Sequence, residues 1–527
     1  MLRRALRAHE SGEFVKAERL YNALLQHQPD NFDALHGLGQ LHCQHGRFDT
    51  ALLLIQTALK IDNERAEGFA SLGLVLHCMH RFEEALASYD EGLRIEPDNA
   101  ELLNRRGVAL LELHRPRDAL DSFERVLTGN PDHLDALGNY GNALLKLNRP
   151  AQALAAYDRA LTFAPENAQL LTNRAVALRR LDRPREALMS ASRALVARPD
   201  FAQARFVEAV TRLTLGDFAA GWRGYEARWA VGFLASQRRR FTAPLWLGQE
   251  TPNASLDGKT ILLHAEQGFG DTIHFVRYAP LLARRGAKKI ILEVQRELVR
   301  LLSGMAGVEA VIARGEPLPP FDLHCPLLSL PLALATEPTT IPAQIPYIAP
   351  PDEEIALWRR RLPQRRPLVG LAWSGDRSHD NDLNRSLRLD TLLPLLDRGE
   401  VSFVSLQHAA REEDLPVLQD LSNRVPNLFQ IEEKFRDFAD TAAVVSLMDA
   451  VISVDTAVAH LTGAMGKPLF LLLPYAADFR WLRERQDSPW YPTARLFRQP
   501  KFGDWDSVIS TLRQDLTRFS RHPEVAA

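Results

Sequence analysis

The stretch DNAELLNRRGVALLELHRPRDALDSFERVLTGNP, Asp98 to Pro131, is one period of a 34-residue lattice. Pro29, Pro97, Pro131, Pro165 and Pro199 keep that spacing, with Asn63 in the one gap. Ala17, Ala51, Ala85, Ala119, Ala153 and Ala187 follow it too, as do the small residues Gly39, Gly73, Gly107, Gly141, Ala175 and Ala209. Aromatics recur at Tyr21, Tyr89, Phe123, Tyr157 and Tyr225. A fixed period of this length, held in four registers, is the mark of a stacked-repeat architecture.

Working outward, the lattice position between the two halves of each unit holds Gly12, Gly46, His80, His114, Asn148, Asp182 and Gly216. These are residue types that tolerate a left-handed backbone, so His80 and His114 are read as turn residues rather than metal ligands. Two positions later stand Phe14, Phe48, Phe82, Pro116, Pro150, Pro184 and Phe218, and proline suits the first residue of a helix. The pattern resembles the tetratricopeptide repeat, a helix–turn–helix unit. That resemblance implies small residues where helix A meets helix B, and a proline that ends helix B. Six full units run from Phe32 to Ala235, preceded by a partial one; Met1 stands at the fourth position of its unit, so either the array opens on a frayed cap or the natural chain begins upstream. Such arrays present a groove for peptide segments, and we expect a protein or peptide partner there. In the repeat arm of eukaryotic protein O-GlcNAc transferases a ladder of asparagines clamps peptide backbone. The matching positions here are Gly37, Ser71, Arg105, Asn139 and Asn173, with Asn142 nearby.

Composition sets the outer bounds. The chain has 527 residues, 46% hydrophobic and 25% charged, with a formal net charge of -2. This is a core-forming chain without the basic footprint of a nucleic-acid binder. Cys43, Cys78 and Cys325 show neither a CxxC pair nor metal-ligand spacing, which fits a reducing compartment. No run approaches the length of a membrane span, and MLRRALRAHE carries no apolar signal core. A cytoplasmic protein is the expectation.

Beyond Ala235 the period changes. GWRGYEARW, Gly221 to Trp229, and Arg238 to Arg240 are read as the join, and Pro244 and Pro252 as loop. Apolar runs at Thr260–Ala265, Lys289–Val294 and Val308–Ala313 alternate with helical spacing at Ile273–Arg284 and Gln295–Ser303. A proline-rich stretch from Pro338 to Pro351 follows. A second alternation has strands at Pro367–Trp373, Val401–Leu406, Asn427–Ile431, Ala450–Val454 and Pro468–Leu473. Strands alternating with helices predict parallel α/β sheets. The expected domains are a repeat array over 1–235, a linker over 236–255, and two Rossmann-like domains over 256–345 and 346–520.

Three loops carry candidate chemistry. Gly268, Gly270 and Asp271 sit in a strand–loop–helix; glycines admit close backbone approach and a helix N-terminus favours anions, while Asp271 also reads as a helix N-cap. In VISVDTAVAHLTGAMGKP, Val451 to Pro468, Asp455 and Thr456 open a helix whose first amides suit a diphosphate. Asp455 also reads as a helix N-cap, and His460 alone reads as a core histidine. In WSGDRSHDNDLNRSLRLD, Trp373 to Asp390, Arg385 suits phosphate oxygens, the alternative being a solvated loop. WRRRLPQRR, Trp358 to Arg366, reads as an exposed helix end.

The GDxIxxxxYAPLL segment at Gly270–Leu282 and the SVDTAxAHLxGAxGKP segment at Ser453–Pro468 resemble heptosyltransferase-like glycosyltransferases. The resemblance covers about Leu256 to Leu516, and the full arrangement is similar to bacterial tetratricopeptide-repeat glycosyltransferases. It implies an α-solenoid followed by an α/β GT-B fold, with a nucleotide-diphosphate sugar as co-substrate in the cleft and neither metal nor resident cofactor. It assigns a general base to Asp271. Donor contacts are implied at Gly268, Gly270, Ser374, Gly375, Arg385, Gln407, Asp455, Thr456, Ala457, Val458 and His460, where Ala457 replaces the family glycine. With the repeats, it implies sugar transfer to an acceptor such as a protein; the alternative is a scaffold whose transferase-like domain binds nucleotide but is inactive.

Overall fold

The computed structural model describes residues 1–251, 255–364, 367–396, 401–408, 410–424, 428–431 and 435–521. It divides into two compact units, Met1–Ala177 and Leu178–Ala527.

The first unit is a helical repeat solenoid. Its helices come in pairs: Leu2–Glu10 with Phe14–His27, Phe32–Gln44 with Phe48–Ile61, Ala66–Cys78 with Phe82–Ile95, Ala100–Glu112 with Pro116–Gly129, and Leu134–Lys146 with Pro150–Phe163. The lattice glycines are steric. A Cβ on Gly73 would stand 2.3 Å from the Tyr89 ring, on Gly107 2.5 Å from Phe123, and on Gly141 2.4 Å from Tyr157. The three rings are buried, so the small residue of helix A is the seat for the aromatic of helix B. Asn31 and Asn99 cap helix starts, accepting from Ala34 N at 3.0 Å and Leu102 N at 3.1 Å. At the turns His80, His114 and Asn148 take φ of 58°, 56° and 56° beside Gly12 and Gly46 at 76° and 71°.

The second unit opens with further repeat helices, Pro184–Ala197, Ala202–Thr214 and Phe218–Tyr225. Their turns keep the left-handed geometry, with Asp182 at φ 52° and Gly216 at 84°. Two sheets follow, and every ladder between their strands is parallel. The first has β1 (Thr260–His264), β2 (Lys289–Val294), β3 (Ala310–Ala313) and β4 (Leu323–Pro326), in the order β3-β2-β1-β4. The second has β5 (Leu368–Ala372), β6 (Ser402–Ser405), β7 (Leu428–Phe429), β8 (Ala450–Val454), β9 (Leu469–Leu473) and β10 (Ala494–Arg498), in the order β10-β9-β8-β5-β6-β7. β5, β8 and β9 are buried along their whole length, which is why they read as apolar runs rather than alternations.

Strand order reverses beside β1 and again between β5 and β8. In open parallel sheets a ligand crevice forms at the carboxyl edge of such a reversal. The loops after β1, β5, β6 and β8 therefore carry the residues singled out above.

Two strands were not anticipated. β4 reads Leu-His-Cys-Pro and follows prolines 317, 319 and 320, so its sequence looks like loop. β10 is interrupted by the exposed Arg495 and ends on the half-buried Arg498, so it lacks the continuous apolar run of β8 and β9. The expected helix Ile273–Arg284 is broken into Phe269–Phe275, a 3-10 turn Val276–Tyr278, and Ala279–Arg284, with Pro280 in the last piece. Asn427, Pro252, Arg365 and Arg366 lie outside the described residues. The helix before Arg365 ends at Arg359, with Trp358 buried. Among the described residues no helix is long and apolar enough to cross a membrane.

Candidate functional site

A cleft of about 1390 Å³ lies within the second unit, and Gly268, Gly270, Asp271, Ser374, Gly375, Arg385, Gln407, Asp455, Thr456, Ala457, Val458 and His460 all line it.

On the β5–β8 side, Arg385 ends the short helix Asp382–Arg385. Its Nη1 donates to the Asp455 carbonyl at 3.0 Å. Its Nε is buried without a partner, and the guanidinium makes no ion pair among the described residues. A Cβ on Gly375 would stand 2.7 Å from Arg385 Nη2, so that glycine makes room for the cation. Gly375 N donates to Ser386 Oγ at 3.0 Å, and Arg411 ties the loop by donating to Asp382 at 2.6 Å and to the Gly375 carbonyl at 3.2 Å. Gln407 is a strut here. Its Oε1 accepts from Trp373 N and Ser374 N at 3.3 and 3.2 Å, and its Nε2 donates to the Ser374 carbonyl at 3.1 Å. Ser374 Oγ is buried and unpartnered.

The helix Ala457–Ala464 starts at Thr456 with no side-chain cap; the Thr456 hydroxyl pairs instead with Ser453 Oγ at 3.2 Å. Its leading amides and positive dipole end therefore face the cleft together with Arg385. Burial, reinforced by Asp478 and opposed by Arg385, pushes the Asp455 carboxyl up to about 6.

On the β1 side, Asp271 has both oxygens engaged. Oδ2 accepts from Gly268 N at 3.1 Å, in the reach-back of a capping box. Oδ1 is ion-paired with Arg480 Nη2, which also donates through Nη1 to Asp478 at 2.7 Å. The two motif glycines differ. A Cβ on Gly268 would meet only Asp271 Oδ2, at 3.5 Å, whereas on Gly270 it would stand 2.9 Å from His460 Cδ2 and 3.5 Å from Ala457 Cα. Gly270 thus lets the two facing helix starts approach. His460 is buried, hydrogen-bonded through Nδ1 to Tyr491 OH at 3.0 Å and stacked on Trp481 with centroids 5.3 Å apart. Tyr491 OH also meets His274 Nδ1 at 2.9 Å. Burial, with Arg480 or Arg277 nearby, holds both histidines well below their ordinary range, so they are neutral.

Sequence reasoning missed Arg480, Glu266 and Arg228. Arg480 lies outside any motif, and its segment is shaped by Leu482 and Glu484 at φ 48° and 55°. Between them Arg483 forms a bidentate pair with Asp182, at 3.0 and 2.9 Å. GWRGYEARW is core rather than only a join: Trp222, Tyr225 and Arg228 are buried. Arg228 donates to Glu226 at 2.6 Å, Ser329 Oγ at 2.7 Å and Glu266 at 3.1 Å. The unusual density of aromatics around Arg228 was the available signal.

In the first unit the asparagines link neighbouring helices. Asn139 Nδ2 donates to Asn104 Oδ1 at 3.0 Å, Asn173 Nδ2 to Asn142 Oδ1 at 2.9 Å, and Tyr157 OH to Asn142 Oδ1 at 2.8 Å. His36 and Ser71 pair in the same way at 2.8 Å. Asn139, Asn142 and Asn173 are each half-buried.

Comparison with known proteins bears on the repeats. Family models described as tetratricopeptide repeat match residues 8–72 and 106–168. Protein FlbA of Caulobacter vibrioides is 26% identical over 337 residues, 60% of this chain and 55% of that protein. The chain thus spans about half the length of the curated relative it matches. A tetratricopeptide repeat protein from Parabacteroides merdae superposes with a TM-score of 0.39 at 16% identity, over 45% of this chain and 93% of that one. The Cut9–Hcn1 structure gives 0.40 at 15%, over 44% and 46%. YrrB, a repeat protein, gives 0.31 at 21%, over 35% and 95%. The N-terminal part of the chain is built of tetratricopeptide repeats.

Proposed function

We propose that the chain is a glycosyltransferase of GT-B type that moves a sugar from a nucleotide-diphosphate donor to an acceptor, a protein offered by the repeats. The observation that carries this reading is Arg385: a guanidinium with a buried, unpartnered Nε beside the uncapped start of Ala457–Ala464. A diphosphate supplies the missing acceptors to both. As the acceptor oxygen bonds to the sugar C1, the C1–O bond to phosphate breaks and the diphosphate leaves with the electron pair. Arg385 and the amides of Ala457 and Val458 neutralise the charge that develops there. The acceptor proton goes to a carboxylate on the β1 side, the wall that carries Asp271. Tyr491, Trp481 and Gly270 keep the His460 wall close to it. The free cysteines favour the cytoplasm, and no metal ion is required by this scheme.

The committed oxygens of Asp271 favour a second reading, a repeat scaffold whose cleft binds nucleotide without transfer. Turnover of a nucleotide-sugar panel by wild type and Asp271→Asn separates the two. The transferase reading expects release of nucleoside diphosphate by wild type and a fall of at least about tenfold in the variant. Binding without turnover in wild type supports the scaffold.

A further inference from the structure

Glu266 follows β1 by two residues and lines the same cleft as Gly268 and Asp271. Its side chain is 2% exposed. Oε1 is occupied, accepting from Leu328 N at 3.2 Å and from Arg228 Nη2 at 3.1 Å. Oε2 is buried and has no partner. Arg228 is also wholly buried, and its one positive charge serves both Glu226 and Glu266. Two carboxylates sharing one desolvated cation favour keeping one proton between them. Burial accordingly pushes the Glu266 carboxyl up to about 7, against the pull of Arg228. Tyr225 joins this group to the other carboxyl of the wall. The Arg228 guanidinium lies 5.2 Å from its ring centroid, its hydroxyl accepts from Gln267 Nε2 at 3.2 Å, and both Arg480 and Asp271 act on it electrostatically.

A base needs a lone pair that is free and a proton affinity matched to the working pH. Asp271 meets the first condition less well, since each of its oxygens already accepts one bond, from Gly268 N or from Arg480. Glu266 has an oxygen to spare.

We propose that Glu266 Oε2, rather than Asp271, accepts the proton of the acceptor hydroxyl, and that Asp271 is a positioning residue that holds Arg480. This rests on the transferase reading above. The acceptor O–H bond breaks toward Oε2 as the new O–C1 bond forms, and the electron pair of the C1–O phosphate bond departs with the nucleoside diphosphate. Glu266 then returns its proton to water.

Two measurements on the full chain test this. First, kcat and KM are followed against pH for wild type, Glu266→Gln and Asp271→Asn with whichever nucleotide sugar wild type turns over. The glutamine still accepts from Leu328 N, and Arg228 keeps Glu226. We expect Glu266→Gln to lose about 100-fold or more in kcat with KM little changed, and to lose the rise in rate through about pH 7. Asp271→Asn keeps that rise. Wild-type kcat in Glu266→Gln, or disappearance of the rise in Asp271→Asn instead, overturns the assignment. Second, infrared difference spectra between about pH 6 and pH 8, taken without ligand, report a protonated carboxyl. Asp455, also raised, contributes a carboxyl band in all three proteins; beyond it, wild type and Asp271→Asn should show a second component that is missing in Glu266→Gln, and an unchanged spectrum in Glu266→Gln overturns the proposal whatever the substrate. A chain that shows the second component but turns over no nucleotide sugar refutes the transferase reading itself, and the base assignment falls with it.

Discussion

Gly268 and Gly270 look alike in sequence, two glycines ahead of one aspartate, yet alanine should affect them differently. At Gly270 the added methyl would stand 2.9 Å from His460 Cδ2. That ring has little room to retreat: Tyr491 OH holds Nδ1 at 3.0 Å and Trp481 stacks on its face. The next atoms met are Ala457 Cα at 3.5 Å and Ala457 N at 3.6 Å, so relief by backbone movement displaces the helix start proposed to hold phosphate. Overpacking of this kind costs about 1–3 kcal/mol. The helix preference of alanine over glycine returns roughly 1 kcal/mol, leaving a net loss of up to about 2 kcal/mol. At Gly268, φ is -70° and the methyl meets only Asp271 Oδ2 at 3.5 Å. A poorer N-cap and a less flexible unfolded chain roughly cancel there, leaving a change within about 0.5 kcal/mol. Hydrogen exchange of the Phe269–Phe275 and Ala457–Ala464 amides reads both effects locally. Faster exchange on both helices in Gly270→Ala alone is expected. Equal behaviour of the two variants would refute the packing argument.

Two further outcomes follow from buried charge. His264 and His324 sit 3.3 Å apart on adjacent strands, held down to about 3 and about 4 respectively, by burial first and next by His324 for the one and Arg239 for the other. Unfolded histidine titrates near 6.5, so the unfolded chain takes up protons first: stability is full above that pH and falls as pH drops toward 4. Relative to pH 8, about 2 kcal/mol per histidine is lost by pH 5; the buried neutral His274 and His460 add their own share, so His324→Gln should remove about one histidine's part of the pH dependence of the urea midpoint, and an unchanged pH dependence counts against it. Asp182→Asn keeps a residue suited to the left-handed turn but breaks the fork with Arg483. It should raise hydrogen exchange across residues 479–485 about tenfold while leaving Pro184–Ala197 unchanged, and Arg483→Gln should add little on top of it.

The parts of the molecule that repeat were legible because each lattice position answers one local need. Gly73 must admit the Tyr89 ring, and His80 must adopt a positive φ, whatever the rest of the chain does. The positions of Ser374, Arg385 and Asp455 around one cleft were legible for a related reason: each follows a fully buried apolar strand, and parallel order brings those strand ends together. Residue roles were less so. Gln407 reads as a ligand contact and, while lining the cleft, also ties down the β5 loop, and Gly270 yields to His460, which is 190 positions away. Arg480 was hidden altogether, since its partner Asp271 is distant in the chain and no local pattern announces an ion pair; Arg228 was marked only by the aromatics around it, with nothing to point to Glu266. β4 was hidden by its flanking prolines, although its pairing with β1 buries every residue in it.

Arg385 carries the central claim, and calorimetry with a panel of nucleoside diphosphates tests it directly on the full chain and on Arg385→Met. Charge-assisted hydrogen bonds of the kind its free guanidinium edge offers contribute about 1.5–3 kcal/mol, so the best-bound diphosphate should weaken about 10- to 150-fold in Kd in the variant, with the fold retained. Wild-type affinity in Arg385→Met, or no diphosphate bound by wild type at all, would contradict the account.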